Sequence, residues 1–424
     1  MKVLFIHQNF PGQFVHLSAA LAQEKGNRVV ALTMRNNPAP KGVEVRPYTL
    51  LRQPVPETHP LLKDEEAKVL RAEACASAAF RLKHDGFEPD VIVAHPGWGE
   101  ALFIKDVFPK AKLVVYCEYY YAAEGQDVGF DPEFPPINFA QRCQIRLKNT
   151  INLHSLEMAD AAISPTQWQK STYPKWAQDK ISVIHDGIDF ERVRHNLKAV
   201  VNIPANQYHS DLKLKYGDEV LTYVARNLEP VRGFHIFMRS LSEVLRRRPN
   251  AHVLIVGGDD VSYGQRAPGG ISWKQHMLNE VGDQLDMSRV HFTGWVPYQT
   301  YLDVLHVSRV HAYWTTPFVL SWSFLEAAAA GCRLVASGTN PVTELKGIIS
   351  YSGVDFFDIE LWTDSFVDLL GSATPVQRRA ANIALVGGPL DIATCQASWQ
   401  SLLRNMAMSD FKNKPCTETG RDPL

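Results

Sequence analysis

Short apolar runs alternate with longer amphipathic stretches along most of the chain. Lys2 to His7 (KVLFIH) and Arg28 to Thr33 (RVVALT) have the length and composition of buried strands. Between them, Phe14 to Lys25 has the pattern of a helix that ends at Gly26. A strand, a helix and a second strand in this order predict a parallel β-α-β unit at the start of the chain.

The alternation restarts in the second half of the chain. Val220 to Ala225 (VLTYVA) predicts a strand, Phe234 to Arg248 a helix and His252 to Val256 (HVLIV) another strand. The segment from Phe190 to Asp218 between the two series is polar, and we expect it to be irregular and to contain the domain boundary. Alternation in both halves predicts an α/β protein with two doubly wound, Rossmann-like domains that face each other across a cleft.

The predicted domains follow from this boundary. A length of 424 residues suits two domains of about 200 residues each. From Ala373 to Met408 the pattern is mostly helical, with a break at Gly387-Gly388-Pro389, and the residues after Lys412 are polar. We therefore expect an N-terminal domain of residues 1–210 and a C-terminal domain of residues 211–395. Residues 396–424 would form a last helix, placed to pack back on the first domain, and a loose tail.

Composition narrows the classes of partner. A formal net charge of -1 gives no reason to expect nucleic acid. No window approaches ~20 uninterrupted apolar residues and no signal peptide is evident, so we expect a cytoplasmic protein. The predicted helix from Asn138 to Met158 carries Arg142, Arg146 and Lys148. This basic face suits solvent, an acidic partner or the inner face of a membrane, so peripheral membrane contact stays open.

A carboxylate stands out in the segment between two predicted strands, Val310 to Trp314 and Arg333 to Ser337. Ser321 or Ser323 is suited to cap the short helix that joins the strands, and Glu326 is the charged residue inside it. Open α/β sheets bind ligands at such a place. The alternative is that Glu326 only complements the helix dipole.

Two arginines flank the loop from Ala225 to Gly233 (ARNLEPVRG). Arg226 directly follows a predicted strand, and Arg232 immediately precedes a predicted helix. Guanidinium groups beside a helix N-terminus form an anion clamp, which would suit phosphate. The alternative is a surface ion-pair cluster with Glu229.

In the first half, polar residues follow two successive predicted strands. His95 comes directly after Asp90 to Ala94, and Glu118 comes directly after Lys112 to Cys117. We expect these side chains to share one crevice at the carboxyl ends of the strands, although a single histidine in a loop also suits a structural role. Gly12 lies in the turn before the first helix, where its backbone could approach a phosphate or simply form the turn.

Five segments, in this order along the chain, resemble motifs of the retaining, nucleotide-sugar-dependent glycosyltransferases of family four, which belong to glycosyl transferases group 1 and have the GT-B fold. The segments are IHDGID (184–189), ARNLEPVRG (225–233), VGGDD (256–260), HFTGWVP (291–297) and SFLEAAAAGCRLVAS (323–337).

The resemblance implies a role for each matched residue. It assigns the donor diphosphate to Arg226 and Arg232, the ribose hydroxyls to Glu326, and the base to Trp295 and Val296. Gly12 would lie near the donor phosphates. Backbone N–H groups that would serve the sugar and phosphate belong to Val319, Leu320 and Ser321.

Two positions depart from the family pattern. Phe318 stands where the family usually has a Glu that contacts the donor sugar, which leaves the sugar open. Glu118 or Tyr119 stands where many members carry a His, and His95 is the nearest histidine.

By resemblance, the protein is a hexosyltransferase that moves a sugar from a UDP- or GDP-linked donor to an acceptor hydroxyl with retention. The setting would be bacterial-type glycan or glycolipid biosynthesis, and the acceptor a glycan, a glycolipid or a small molecule. Arg226 and Arg232 would stabilise the leaving diphosphate, while Glu118 and His95 would orient the acceptor or sugar. Since the chain has no Asp-x-Asp motif, we expect no metal and no cofactor beyond the donor substrate.

Two other functions suit the same sequence. One is another reaction on this fold, such as a sugar-nucleotide epimerase or a phosphorylase. The other is a scaffold that binds nucleotide sugar without consuming it, which the Phe318 departure favours.

Overall fold

The computed structural model describes residues 1–372 and 385–409, which form two units. Unit 1 comprises residues 1–121, 138–187 and the chain from Ala393, and unit 2 comprises residues 122–137 and 188–392. After residues 122–137, the chain enters unit 2 for the second time at Ile188, before the predicted boundary near 210. The reason is packing, since Ile188, Phe190 and Val193 are buried in a hydrophobic cluster of unit 2.

Unit 1 is built on a parallel sheet in which the winding reverses between its first and fourth strands. The strand order is β3-β2-β1-β4-β5-β6-β7, and Val3 of β1 lies opposite Val91 of β4. The strands are β1 (Lys2–Ile6), β2 (Arg28–Thr33), β3 (Val43–Pro47), β4 (Val91–Ala94), β5 (Lys112–Tyr116), β6 (Ala161–Ser164) and β7 (Ile181–Val183).

The segment predicted to be irregular contains an antiparallel hairpin of unit 2, so that prediction was wrong. Its strands are β8 (Val200–Ile203) and β9 (Leu212–Lys215). Val201 and Ile203 are buried whereas Val200 and Asn202 are exposed, which is the period-two pattern of a half-buried strand. The apolar residues of this hairpin are too few and too widely spaced to stand out in a polar segment.

The sheet of unit 2 is also parallel, and its winding reverses between β10 and β13. The strand order is β12-β11-β10-β13-β14-β15. The strands are β10 (Val220–Asn227), β11 (His252–Gly258), β12 (Val290–Gly294), β13 (Val310–Tyr313), β14 (Arg333–Ser337) and β15 (Ser352–Val354). Both sheets confirm the predicted α/β class and Rossmann-like winding.

Helices cover the sheets. They are α1 (Val15–Gln23), α2 (Lys63–His84), α3 (Ile104–Val107), α4 (Phe139–Lys148), α5 (Thr150–Met158), α6 (Gln167–Ser171), α7 (Lys175–Gln178), α8 (Phe190–Val193), α9 (Phe234–Arg247), α10 (Trp273–Val281), α11 (Tyr298–Val307), α12 (Trp322–Ala329), α13 (Ile359–Gly371) and α14 (Ile392–Ser409). Among the described residues, no helix is long and apolar enough to cross a bilayer.

Two helix predictions need correction or limits. The single helix expected from Asn138 to Met158 is divided into α4 and α5 at Asn149, whose side chain exchanges two hydrogen bonds with the backbone of Tyr121. Part of the helical region expected from Ala373 to Met408, and the expected tail, lie outside the described residues.

The last helix, α14, packs on unit 1. Trp399 and Leu403 are buried with Val3 and Phe5 of β1. At the helix surface, Arg404 forms an ion pair with Glu24 at 2.8 Å.

Candidate functional site

The loops after β10 and β13 meet at the winding reversal of unit 2, and Arg232 joins them. Its side chain is buried, and Nη1 donates hydrogen bonds to Thr315 Oγ1 at 2.7 Å, to the Val319 carbonyl at 3.1 Å and to the Tyr313 hydroxyl at 3.3 Å. Within the described chain, Nε and Nη2 make no hydrogen bond. One edge of the guanidinium therefore fixes the β13–α12 loop, and the other is available to an anion.

Glu229 does not form the ion-pair cluster that was the alternative interpretation of this loop. Its buried carboxylate accepts hydrogen bonds from the backbone N–H groups of Ser262, Tyr263 and Gly264, at 3.2, 3.2 and 2.9 Å. The residue thus holds the loop after β11 in place, and both arginines keep their charge for another partner.

Arg226 is exposed, and its guanidinium has no ion-pair partner among the described residues. Its backbone carbonyl accepts a hydrogen bond from Trp295 Nε1 at 2.7 Å. The indole of Trp295 is 72% exposed. It lies close to Gly258, where an added Cβ would come within 2.5 Å of Nε1. The result is a flat, exposed ring that is held by the backbone of Arg226. Val296, the other residue predicted at the base, is partly buried against two hydrophobic clusters of unit 2, and its contact with the base stays a prediction.

Glu326 is held by two tyrosines that the sequence did not suggest. Its two carboxylate oxygens accept hydrogen bonds from the hydroxyls of Tyr298 and Tyr301, each at 2.7 Å. Burial raises the pKa of Glu326, and the two hydroxyls oppose that shift. Because Glu326 lies beyond the first turn of α12, the helix dipole alone does not explain it.

The start of α12 has the predicted cap. Ser321 Oγ accepts a hydrogen bond from the Ser323 N–H at 3.3 Å. The Ser321 N–H itself donates to the Tyr313 hydroxyl at 2.9 Å, so this amide is engaged inside the protein, in contrast to the role implied for it. The amides of Val319 and Leu320 stay predicted donors to the sugar and phosphate.

Phe318 occupies the position where the resemblance implies a carboxylate. The side chain is buried, and its ring packs edge to face with Tyr263 at 4.9 Å between centroids. The Arg232 guanidinium carbon lies 5.8 Å from the centroid of the Phe318 ring. An apolar ring therefore lines the space beside Arg232.

In unit 1, four polar side chains form a continuous hydrogen-bonded network at the corresponding winding reversal. His7 follows β1, His95 follows β4 and Glu118 follows β5. Gln13 bridges two of them: its Oε1 lies 2.8 Å from His7 Nε2, and its Nε2 donates to Glu118 Oε1 at 2.6 Å. His95 Nε2 lies 3.2 Å from Glu118 Oε2. The predicted pair His95 and Glu118 is brought together, and His7 and Gln13 join it.

Backbone groups set the tautomers of both histidines. The Asn9 N–H donates to His7 Nδ1 at 3.0 Å, and the Gly97 N–H donates to His95 Nδ1 at 3.2 Å. Each imidazole therefore carries its proton on Nε2, from which it donates to Gln13 or Glu118. Burial acts to raise the pKa of Glu118, but the hydrogen bond from His95 and its electrostatic attraction, together with the Gln13 amide, lower the pKa overall.

The structure gives a steric reason for a glycine at position 12, in addition to its predicted role. Its φ is +47°, and an added Cβ would lie 2.4 Å from the His7 ring. The turn can therefore close over His7 only when this residue has no side chain. Its approach to a phosphate stays a prediction.

Two family models match the chain, one in each half. A model of the glycosyl transferase family 4 group matches residues 25–193, and a model of the glycosyl transferases group 1 matches residues 218–395. A curated relative, D-inositol 3-phosphate glycosyltransferase from Segniliparus rotundus, is 28% identical over 248 residues, which are 55% of this chain and 49% of that protein. The chain thus spans about half the length of the curated relative that it matches.

Solved structures are similar over nearly the whole chain. HepE from Anabaena, in complex with UDP and glucose, is 16% identical with a TM-score of 0.59, covering 96% of this chain and 100% of that one. Sucrose-phosphate synthase from Thermosynechococcus elongatus is 15% identical with a TM-score of 0.63, covering 96% and 99%. At these identities the structures speak for the fold, and the two family models together cover most of the chain. The chain therefore belongs to the GT-B glycosyltransferases of family 4 and group 1.

Proposed function

We propose that the protein is a retaining glycosyltransferase that moves a hexose from a UDP- or GDP-linked donor to an acceptor hydroxyl without an obligatory metal. The observation that carries this proposal is the arrangement of the arginines at the winding reversal of unit 2. Arg232 is fixed through Nη1, and its other two guanidinium nitrogens are available to a ligand. Arg226, six positions earlier in the sequence, has an exposed side chain. Such an arrangement suits a diphosphate.

The two guanidinium groups would act where charge develops. As the bond between the anomeric carbon and the diphosphate oxygen breaks, negative charge grows on the leaving group, and fixed cations stabilise it. Removing one such group costs about 3 kcal/mol of transition-state stabilisation, by analogy with oxyanion-hole deletions. The departing phosphate oxygen would accept the proton of the attacking acceptor hydroxyl on the same face, so no protein nucleophile is required.

Other residues of unit 2 would recognise the nucleoside. The exposed indole of Trp295 offers a face to the base. Each Glu326 oxygen holds one tyrosine hydroxyl and has further acceptor capacity for a ribose hydroxyl. We take UDP as the first nucleotide to test, because the similar HepE structure contains UDP and glucose.

Unit 1 would supply the acceptor contacts. Glu118 has a lowered pKa and stays ionised, so it suits hydrogen bonds from sugar or polyol hydroxyls. A small polyol phosphate, a glycan and a glycolipid all present such hydroxyls, and the curated relative is named for the first of these. We place the reaction in glycan or glycolipid biosynthesis in the cytoplasm, with contact to the inner face of the membrane if the acceptor is a lipid.

Phe318 favours a second candidate, a protein that binds nucleotide sugar but does not transfer the sugar. The buried ring replaces the carboxylate that the resemblance implies for sugar contact. Binding and turnover must therefore be measured separately.

The test is a thermal-shift screen of the wild type and Arg226→Ala against UDP, GDP, ADP, TDP and their hexose conjugates, with and without EDTA. At 100 times its dissociation constant, a ligand should stabilise the wild type by about 2.7 kcal/mol. We expect one nucleotide to produce this shift, EDTA to leave it unchanged, and Arg226→Ala to lose it. Arg246→Ala is the matched control, because that exposed arginine lies at the far end of α9 and pairs with Glu243.

The donor that binds is then incubated with polyol, glycan and lipid acceptors, and NMR of the product gives the anomeric configuration. Retention supports the proposal, whereas inversion contradicts it. If the donor binds but is not consumed with any of the acceptors, the protein is the scaffold. If the sugar of the donor changes configuration without an acceptor, the protein is an epimerase.

A further inference from the structure

We propose that Asp131, Glu133 and His235 form a binding site for a divalent transition-metal ion. Asp131 and Glu133 belong to the segment 122–137, and His235 is the second residue of α9. One ligand atom from each side chain lies within 4.8 Å of the other two. All three residues are in unit 2, and none of them is one of the arginines assigned to the donor.

His235 is the observation that distinguishes this cluster from an ordinary acidic surface. Its side chain is 1% exposed. Nε2 lies 2.9 Å from Asp131 Oδ2 and 3.9 Å from Glu133 Oε1, yet neither ring nitrogen makes a hydrogen bond of acceptable geometry in the described chain. Asp131 Oδ2 is buried and likewise lacks one. A nitrogen and an oxygen that are close but misaligned for a hydrogen bond are arranged as two ligands of a common ion.

The charges around the cluster also favour a cation. Arg239 is the neighbouring counter-charge, and it is shared between Glu133 and Glu280, with Nε 2.5 Å from Glu280 Oε1. Together with Asp131 there are three carboxylates for one guanidinium. With a neutral imidazole this leaves two negative charges, which a divalent ion would balance.

The ligand types indicate the class of ion. Two carboxylates and one imidazole suit zinc or manganese, and three protein ligands leave a coordination position for water. Zinc bonds of about 2.0–2.2 Å need only small movements of side chains that already lie this close. We commit to zinc as the preferred ion.

The position suggests what the ion would do. Phe130 packs on Phe356 and Phe357, and Phe134 packs on Trp273, so the segment 122–137 already lies on unit 2. A metal between this segment and the first turn of α9 would fasten it next to Arg232. The ion would stabilise the fold of this region and take no part in the transfer step.

The test is zinc binding to the full-length protein, freed of metal with EDTA and then dialysed, measured by isothermal titration calorimetry and by metal analysis. We expect about one equivalent of zinc, as for a single site with three protein ligands and a water. The variants His235→Gln and Asp131→Asn should weaken binding by at least about 100-fold, because loss of a ligand costs more than loss of a residue that only orients one. His154→Ala, which removes an exposed histidine of unit 1, should bind as the wild type does.

Cobalt provides a spectroscopic readout, since a bound Co²⁺ ion should give visible absorption that His235→Gln abolishes. If either core variant fails to fold, Glu133→Gln replaces it, because Glu133 is partly exposed and its substitution is tolerated more easily. Equal zinc stoichiometry and affinity in the wild type and the folded variants would overturn the proposal. The cluster would then be an Asp–His contact that holds the segment by itself. None of these outcomes depends on glycosyl transfer.

Discussion

The winding reversals of the two units are the same place in the same type of sheet, but they carry opposite chemistry. In unit 1, a carboxylate lies among two imidazoles and an amide. In unit 2, the Arg232 guanidinium bonds to two hydroxyls and a backbone carbonyl, and the Arg226 side chain is exposed. The sheet fixes where a ligand binds, whereas the loop residues decide whether that ligand is an anion or a hydroxyl compound.

The two regions also differ in how their polar groups are held. In unit 1, His7, Gln13, Glu118 and His95 are linked into one network, so each residue depends on its neighbours. In unit 2, Arg232 is tied to the protein by three hydrogen bonds, whereas Arg226 projects without an ion-pair partner in the described chain. The effects of a substitution on stability and on activity should therefore be related differently in the two units.

The largest effect is expected for Arg232→Ala. Turnover should fall by roughly 100- to 1,000-fold because a fixed cation at the leaving group is lost. The protein should also lose about 1–3 kcal/mol of stability, since the Val319 carbonyl and two hydroxyls lose the hydrogen bonds that they accept from the guanidinium in a buried site. Steady-state kinetics and urea unfolding measure the two effects. Arg226→Ala is the control, because it should lose activity while its unfolding midpoint stays the same. Normal turnover in Arg232→Ala would break the assignment of unit 2 to the diphosphate.

Glu118→Gln should have the next largest effect. The substitution keeps the size of the side chain but removes the acceptor charge, so we expect turnover to fall by roughly 10- to 100-fold, because a hydrogen bond to a charged group contributes about 1.5–3 kcal/mol. Nucleotide affinity should not change, since the donor contacts are assigned to unit 2. Kinetics with varied acceptor and calorimetry with the nucleotide separate these quantities. A loss of nucleotide affinity with unchanged turnover would reverse the roles of the two units.

The carboxylates of Glu118 and Glu326 should give opposite dependences of stability on pH. The pKa of Glu118 is lowered from 4.5, so its contribution is complete above that value and is lost as the pH falls through the folded-state pKa. The pKa of Glu326 is raised from 4.5, so its contribution decreases as the pH rises above that value. Urea unfolding measures both pH dependences when it is carried out on the wild type, Glu118→Gln and Glu326→Gln. The range from pH 3 to pH 7 covers about four units around the ordinary glutamate pKa. Equal slopes for the two variants would show that the environments do not differ as described.

The smallest effect is expected for Trp295→Ala. Loss of aromatic contact with the base should weaken nucleotide affinity by about tenfold or less, equivalent to 0.5–1.5 kcal/mol. The melting temperature should stay the same because the indole is 72% exposed. Calorimetry with the nucleotide that binds and with its free ribose phosphate measures the change. If both ligands weaken equally, the ring does not contact the base.

The sequence predicted the fold better than it predicted the site. Apolar runs identified most strands of both sheets, because a buried strand is recognisable over a few consecutive residues. The same rule could have identified His7, which directly follows β1 just as His95 directly follows β4. The break at Asn149 could not be predicted in this way, because it depends on hydrogen bonds to the distant backbone of Tyr121.

By itself, the sequence determined the alternation of strands and helices, the family motifs and the presence of two arginines in the loop after β10. These features depend on local period and spacing. Tertiary structure alone decided that Gln13 bridges to Glu118, 105 positions away, that Tyr298 and Tyr301 hold Glu326, and that His235 meets Asp131. The physical reason is the short range of hydrogen bonds and ion pairs, which form within about 3 Å. They depend on the path of the folded chain, and the spacing of residues along the sequence does not encode that path.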